Sequence, residues 1–396
     1  MSSNRDSKRW LGLVLASILL WSCGQREQRV EKTTENGVEI VNNHLEPYKI
    51  SGEPVGLRLE KEFTIDPERE DLARLGLMEI RSFDVDSKGN VYLFQAPKTQ
   101  AKLVFQFDRQ GNYLRSFGHL GQGPGEVQFP SYPGVNSSDQ ILIWDSGALK
   151  LMLFDGHGDL IKERRQEMKI RALGAPTFLE NGYFLVRQIP ETAGPVDRNQ
   201  VFINLCDTQF KKVRDMGSYR LLEPLAADKV SAFPKIVILG ISKSRIYVGG
   251  ADSGYEISVY DLQGSLLRKI RKEYKPAKVT ESLKSEVLER LGDHPLRSKL
   301  YFPDHRPGFQ HFFADEQERL FVVTSEKGPS GQYISDVFNA EGVFIARAAL
   351  GYFDLLKAFW EGNELGLKTK NGRLYFLREK SSGYKELVVS RLIWTK

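Results

Sequence analysis

The sequence predicts an all-β fold: a six-bladed β-propeller, closed into a ring by an N-terminal strand and carrying a small helical insertion. Three observations predict it. A short apolar strand preceded by a turn recurs six times, as GNVYLF (89–94), DQILIW (139–144), NGYFLV (181–186), SRIYVG (244–249), ERLFVV (318–323) and GRLYFL (372–377). A second strand follows each copy, generally leading through a turn into a third. Finally, 23 Phe, 15 Tyr and 35 Gly suit many strands joined by tight turns.

The turns explain the pattern. Asp-Arg-Gln-Gly (108–111) and Asp-Leu-Gln-Gly (261–264) place an Asp where it can hydrogen-bond its own turn, and a Gly where positive φ is tolerated. The clearest hairpins are KLVFQFDRQGNYLRSFG (102–118), LKLMLFDGHGDLIKERR (149–165), ISVYDLQGSLLRKIR (257–271) and SDVFNAEGVFIARAAL (335–350). VFINLCDTQFKKVRDMG (201–217) lacks the turn glycine, and its Cys206 reads as a small buried hydrophobe. The sixth copy, KELVVSRLIW (385–394), stops before its third strand. Residues 56–65, GLRLEKEFTI, form a strand-like stretch with no partner of their own and are expected to complete that last blade, covering its edge.

Between the fourth and fifth copies the spacing lengthens. There Val279, Leu283, Val287, Leu288 and Leu291 mark one helical face, and Gly292 is placed to end the helix. This insert, at 277–292, is expected to pack over one end of the ring as a partial lid or to bury only its own stripe.

The chain begins differently. Arg5, Lys8 and Arg9 precede an apolar run, LGLVLASILLW. Its eleven residues reach about 16 Å as a helix, half a bilayer core, which suits a signal peptide better than a span. Leu20-Trp21-Ser22-Cys23 resembles the lipobox of bacterial lipoproteins, with Trp21 in place of a small residue. The resemblance implies lipidation of Cys23, by palmitate-like chains that each add about 0.8 kcal/mol of membrane affinity per buried methylene. Gly24, rather than Asp, after that cysteine implies the outer membrane, on its periplasmic or surface side. Residues 1–22 are thus expected to be a lipoprotein signal peptide, 23–54 a flexible tether and 55–396 the propeller.

Two further stretches carry a family resemblance. GQGPGEVQFP (121–130) resembles the glycine-rich blade-to-blade loop of NHL-type six-bladed propellers. YFPDHRPGFQHFFADEQERLFV (301–322) is similar to the corresponding stretch in the 6-bladed β-propeller lipoproteins of gram-negative bacteria. The resemblance covers roughly residues 55–396 and implies fold and cell-envelope location more than activity.

The chemistry legible in the residues is sparse. The formal charge of +5 comes from interspersed residues of both signs, so nucleic acid is not an expected partner. His44, His119, His157, His294, His305 and His311 form no HExxH or His-x-His pair, and no CxxC or GxSxG occurs. No catalytic residue, metal ligand or cofactor is assigned. Asp84-Val-Asp86-Ser-Lys88-Gly89-Asn90 has a lysine where a calcium loop needs an oxygen, and GQGPG lacks the lysine of a phosphate cradle. Ligand contacts are expected at the funnel mouth, from Tyr132, Arg187, His305, Arg306 and His311. The function expected is that of a monomeric, membrane-anchored lipoprotein binding a glycan, a peptide or an envelope protein without catalysis. The alternative is a metal-dependent hydrolase or lyase of the six-bladed propeller type.

Overall fold

The computed structural model describes residues 30–95, 102–165, 176–188, 200–220, 229–233, 237–250, 254–351 and 366–395. Their strands form six blades, each an antiparallel sheet running from an inner to an outer strand. The inner strands are Ile80–Val85, Pro130–Val135, Thr177–Phe178, Val237–Ile241, His311–Ala314 and Leu367–Lys370. The second strands are largely buried, Val91–Gln95 and Ile141–Asp145 along their whole length. A strand inside a blade meets a neighbouring blade on each face, which explains their continuous apolar runs. Of the outer strands, Leu160–Arg165 (LIKERR) in blade 2 is almost entirely exposed.

The core is accordingly a set of wedges between blades. Trp144 of blade 2 meets Phe184, Val186 and Phe210 of blade 3, with Phe184 and Phe210 stacked 4.8 Å apart. Cys206 lies fully buried in the same wedge. Ile65, Leu387 and Val389 of blade 6 meet Val85, Val91 and Phe105 of blade 1.

The expected closure is present. Strand Gly56–Ile65 pairs antiparallel with Lys385–Thr395 from Leu387↔Ile65 to Thr395↔Gly56 and forms the outer strand of blade 6. Glu62, which holds both Arg373 and Arg391 at 2.6 Å, ties it further to the blade. A Cβ on Gly56 would stand 2.7 Å from Thr395 Oγ1, so only glycine fits there without displacing that side chain.

The segment before it departs from expectation. Residues 23–54 were expected to form a flexible tether, but Glu31–Glu35 and Val38–Asn43 form a hairpin. Its second strand pairs in parallel with the outer strand of blade 4, Leu266–Lys272, widening that sheet to six strands. Asn43 secures it: Nδ2 donates to the carbonyls of Arg271 and Gly342, each at 3.0 Å, and Oδ1 accepts from Phe344 N at 2.8 Å. The polar sequence concealed Ile40 and Val41, two adjacent residues that are both fully buried.

The turn device recurs as expected. The Asp108 carboxylate accepts from Gln110 N and Asn112 N, Asp155 from His157 N and Asp159 N, and Asp261 from Gln263 N and Ser265 N. Asp86 accepts from Lys88 N, Asn90 N and Asn90 Nδ2, so its oxygens serve a hairpin. The glycine-rich loop at 121–125 is filled by its own chain: Glu126 Oε2 accepts from Gly123 N at 2.8 Å.

At the end of the ring where these turns lie, every blade interface carries a hydrogen bond. Ser87 Oγ donates to Asp139 (2.6 Å) between blades 1 and 2, and Ser137 Oγ to Glu180 O (3.3 Å) between 2 and 3. Asn181 Nδ2 donates to Leu262 O (2.8 Å) between blades 3 and 4, and Ser244 Oγ to Glu318 (2.7 Å) between 4 and 5. Glu316 accepts from Asn371 N (2.6 Å) between blades 5 and 6, and Asn371 Nδ2 donates to Ser87 O (3.2 Å), completing the circle.

Candidate functional site

Strand direction sorts the two ends of the ring. In an antiparallel blade the start of the first strand, the end of the second, the start of the third and the end of the fourth share one end. That end, here the upper face, therefore carries the second-to-third connections and the links between blades. The stitched turns occupy the lower face. Tyr132, early in the inner strand of blade 2, His311, first in that of blade 5, and Arg187, near the end of a second strand in blade 3, belong to the upper half. His305 and Arg306 precede blade 5 on the link from blade 4, so the topology brings all five expected residues toward one face.

The insert forms on this face. Its helix, Glu281–Leu291, starts at Thr280, whose side chain accepts from Leu283 N at 3.2 Å, and stops at Gly292, with φ of 50°. Val287 is buried against Ala232 and Phe233, which lie on the link between blades 3 and 4, with Val279, Leu283 and Leu291 packed alongside. A two-residue parallel pairing, Val230↔Leu300 and Ser231↔Tyr301, joins the same segments. The insert therefore covers more than its own stripe: it bridges two blade-to-blade links.

The candidate residues differ in environment. His305 is exposed and bridges Lys278 through the backbone. Arg306 turns inward: its guanidinium donates to Ser325 O at 3.0 Å and lies 5.8 Å from the Phe233 ring centre. It thus clamps the link that precedes blade 5 onto that blade and against the link between blades 3 and 4, which makes it a fold-holding residue in this conformation. Burial pushes the His311 imidazole down to about 4, so it is neutral at pH 7.

In the unfolded chain this histidine takes up a proton near its ordinary value of about 6.5, before the folded protein does. Stability linked to His311 is therefore present above about pH 6.5 and is lost as pH falls toward about 4. Urea midpoints measured across that window should fall less in His311→Gln than in the parent; parallel slopes would refute the assignment.

Sequence reasoning missed the most elaborate polar cluster, at the upper end of the interface between blades 4 and 5. Asp336, 1% exposed, accepts from Tyr255 Oη at 2.8 Å and faces Lys272 Nζ at 3.4 Å and Arg347 Nε at 3.3 Å. Arg347 also meets Glu326 at 2.5 Å. Lys272 Nζ stands 4.6 Å above the Phe344 ring, a cation–π arrangement. Burial raises the Asp336 carboxyl despite its cationic neighbours and raises the Tyr255 phenol well above its usual value. Beside them lies a cavity of about 20 Å³ lined by Tyr274, Pro307, Gly308 and Thr324, room for one water. No local motif signals this cluster, because Tyr255 and Asp336 are 81 positions apart. Among the described residues no group of three or more His, Cys, Asp or Glu could hold a metal ion.

Comparison with known proteins agrees with this geometry. Residues 79–219, blades 1 to 3, match the DUF5128 family, described as a 6-bladed beta-propeller. The fold is a six-bladed propeller. The chain is similar to a solved protein of Bacteroides fragilis described as exported, at 10% identity and a TM-score of 0.50, over 89% of this chain and 99% of that one. It is also similar to a member of the DUF4221 family from Bacteroides vulgatus, at 13% identity and a TM-score of 0.50, over 87% of this chain and 100% of that one. No curated protein matches the sequence.

Proposed function

We propose that the protein is an exported lipoprotein, anchored to the outer membrane through Cys23, whose propeller binds a glycan, a peptide or an envelope protein on its upper face without catalysis. The observation carrying this reading is the asymmetry of the ring. The lower face consists of short turns that are bonded to one another from blade to blade. The upper face carries the long links, including residues 273–310, and the chain positions of the five candidates, with His305 exposed among them. Loops on a rigid scaffold are where propellers place recognition. Export is supported by the basic-then-apolar leader and by the description of the Bacteroides fragilis relative.

Photo-crosslinkers at Tyr132, Arg187 and His305 should each capture the same envelope component in intact cells, whereas one at Gln263 on the lower face should not. Adducts from Gln263 alone, or from every position equally, would defeat the reading. Cys23→Ala should move the protein out of the membrane fraction; its persistence there would argue for another attachment.

A further inference from the structure

The docked hairpin changes what a lipid on Cys23 would do. Val30 is already partly buried against the blade 4–6 core, and pairing begins at Glu31. From Cys23 to Val30 the chain can reach about 25 Å when fully extended, whereas a free segment ending at Pro54 would reach about 110 Å. The hairpin is held along its length. Arg271 pairs with Glu35 at 2.5 Å, Arg268 with Glu39 at 3.3 Å, and Asn43 joins it to blades 4 and 5.

Register then gives the leash a direction. Strand Val38–Asn43 runs parallel to Leu266–Lys272, with Asn43 beside Lys272, the upper end of blade 4. Glu31 pairs with Asn42, so the chain arrives at that same upper end. Glu273, just before the insert, donates its backbone N–H to Asn43 O at 2.9 Å. The attachment point thus lies on the rim of the face that carries the insert.

We propose that the protein is held by a short leash with the upper rim of blade 4 next to the bilayer, so that its binding face works on ligands at the membrane surface. This rests on the lipid-anchor reading and deepens it: the partner is a component within about one leash length of the membrane, not one dispersed through the surrounding space. The alternative, a propeller swinging freely on a long tether, requires the hairpin to detach.

The test uses the lipidated full-length protein in vesicles of phosphatidylethanolamine and phosphatidylglycerol containing an acceptor-labelled lipid. Donor dyes go on Glu273→Cys, at the upper rim, or Gln263→Cys, at the lower end of the same blade; both native side chains are exposed. Native Cys206 is fully buried and burial raises its thiol to about 11, so it does not compete for dye. Energy transfer from position 273 should exceed that from 263 by at least about twofold, since the seven-residue strand Leu266–Lys272 separates them. Inserting a flexible Gly/Ser stretch of about thirty residues after Gly24 should bring the two signals together while leaving the propeller untouched. Equal transfer from both positions in vesicle-bound parent protein would overturn the short leash alone. Failure of the parent to bind vesicles, or binding by Cys23→Ala, would overturn the anchor and the leash together.

Discussion

A chain lacking residues 1–65 should fail to fold, and a circular permutant that restores Gly56–Ile65 after the last strand should fold again. Truncation leaves blade 6 with three strands and exposes the edge of Lys385–Thr395, which is paired with the N-terminal strand over most of its length. It also removes Ile65 from the wedge between blades 6 and 1, and the hairpin from blade 4. The permutant is geometrically simple. Val55 N already donates to Thr395 O at 2.9 Å, so a short turn can join the two strands as a hairpin. The expected result is aggregated truncated protein and a monodisperse permutant with the parent's circular dichroism. A truncated chain with a cooperative unfolding transition at the parental midpoint would show that the ring does not need its closing strand.

The second large effect should come from Asp336. Asp336→Ala leaves Lys272, only 6% exposed at its side chain, without its carboxylate, and leaves the Tyr255 hydroxyl without its acceptor. Removing one partner of a buried pair costs about 3–5 kcal/mol, because the other charge stays desolvated. Lys272→Met keeps the apolar stem against Phe344 and should cost less, since Arg347 still faces the carboxylate. Combined with Asp336→Ala, it should cost less than the sum of the two single changes. These values are read from urea denaturation midpoints. A loss of only about 1 kcal/mol in Asp336→Ala would mean the cluster is hydrated and contributes little.

How much of this was legible depended on whether the signal was local. The strands and turns were, because an Asp that accepts from the residues two and four positions on writes its partners into one short stretch, as at Asp108 and Asp261. The helix at 281–291 was legible through its apolar spacing and Gly292. The closing strand could be inferred because the sixth unit was one strand short. The hairpin at 31–43 was not, since its partner strand lies more than two hundred residues away and its exposed first strand, EKTTE, looks like linker. Of the candidate site only chain positions were legible. Arg187, His305, Arg306 and His311 could be placed on one face by position within their blades, but nothing local showed that Arg306 turns inward to Ser325. The Tyr255–Lys272–Asp336–Arg347 cluster arises only when two blades meet.

The closed circuit of Ser87, Ser137, Asn181, Ser244, Glu316 and Asn371 has a consequence for how such a molecule can diversify. Since that circuit bonds every pair of neighbouring sheets at one end, loop segments at the opposite end that carry no bond between blades can change length or composition with little effect on the curvature of the whole. Relatives built on the same circuit are free to acquire new specificities by loop exchange, and grafting experiments should find that end permissive and the other intolerant.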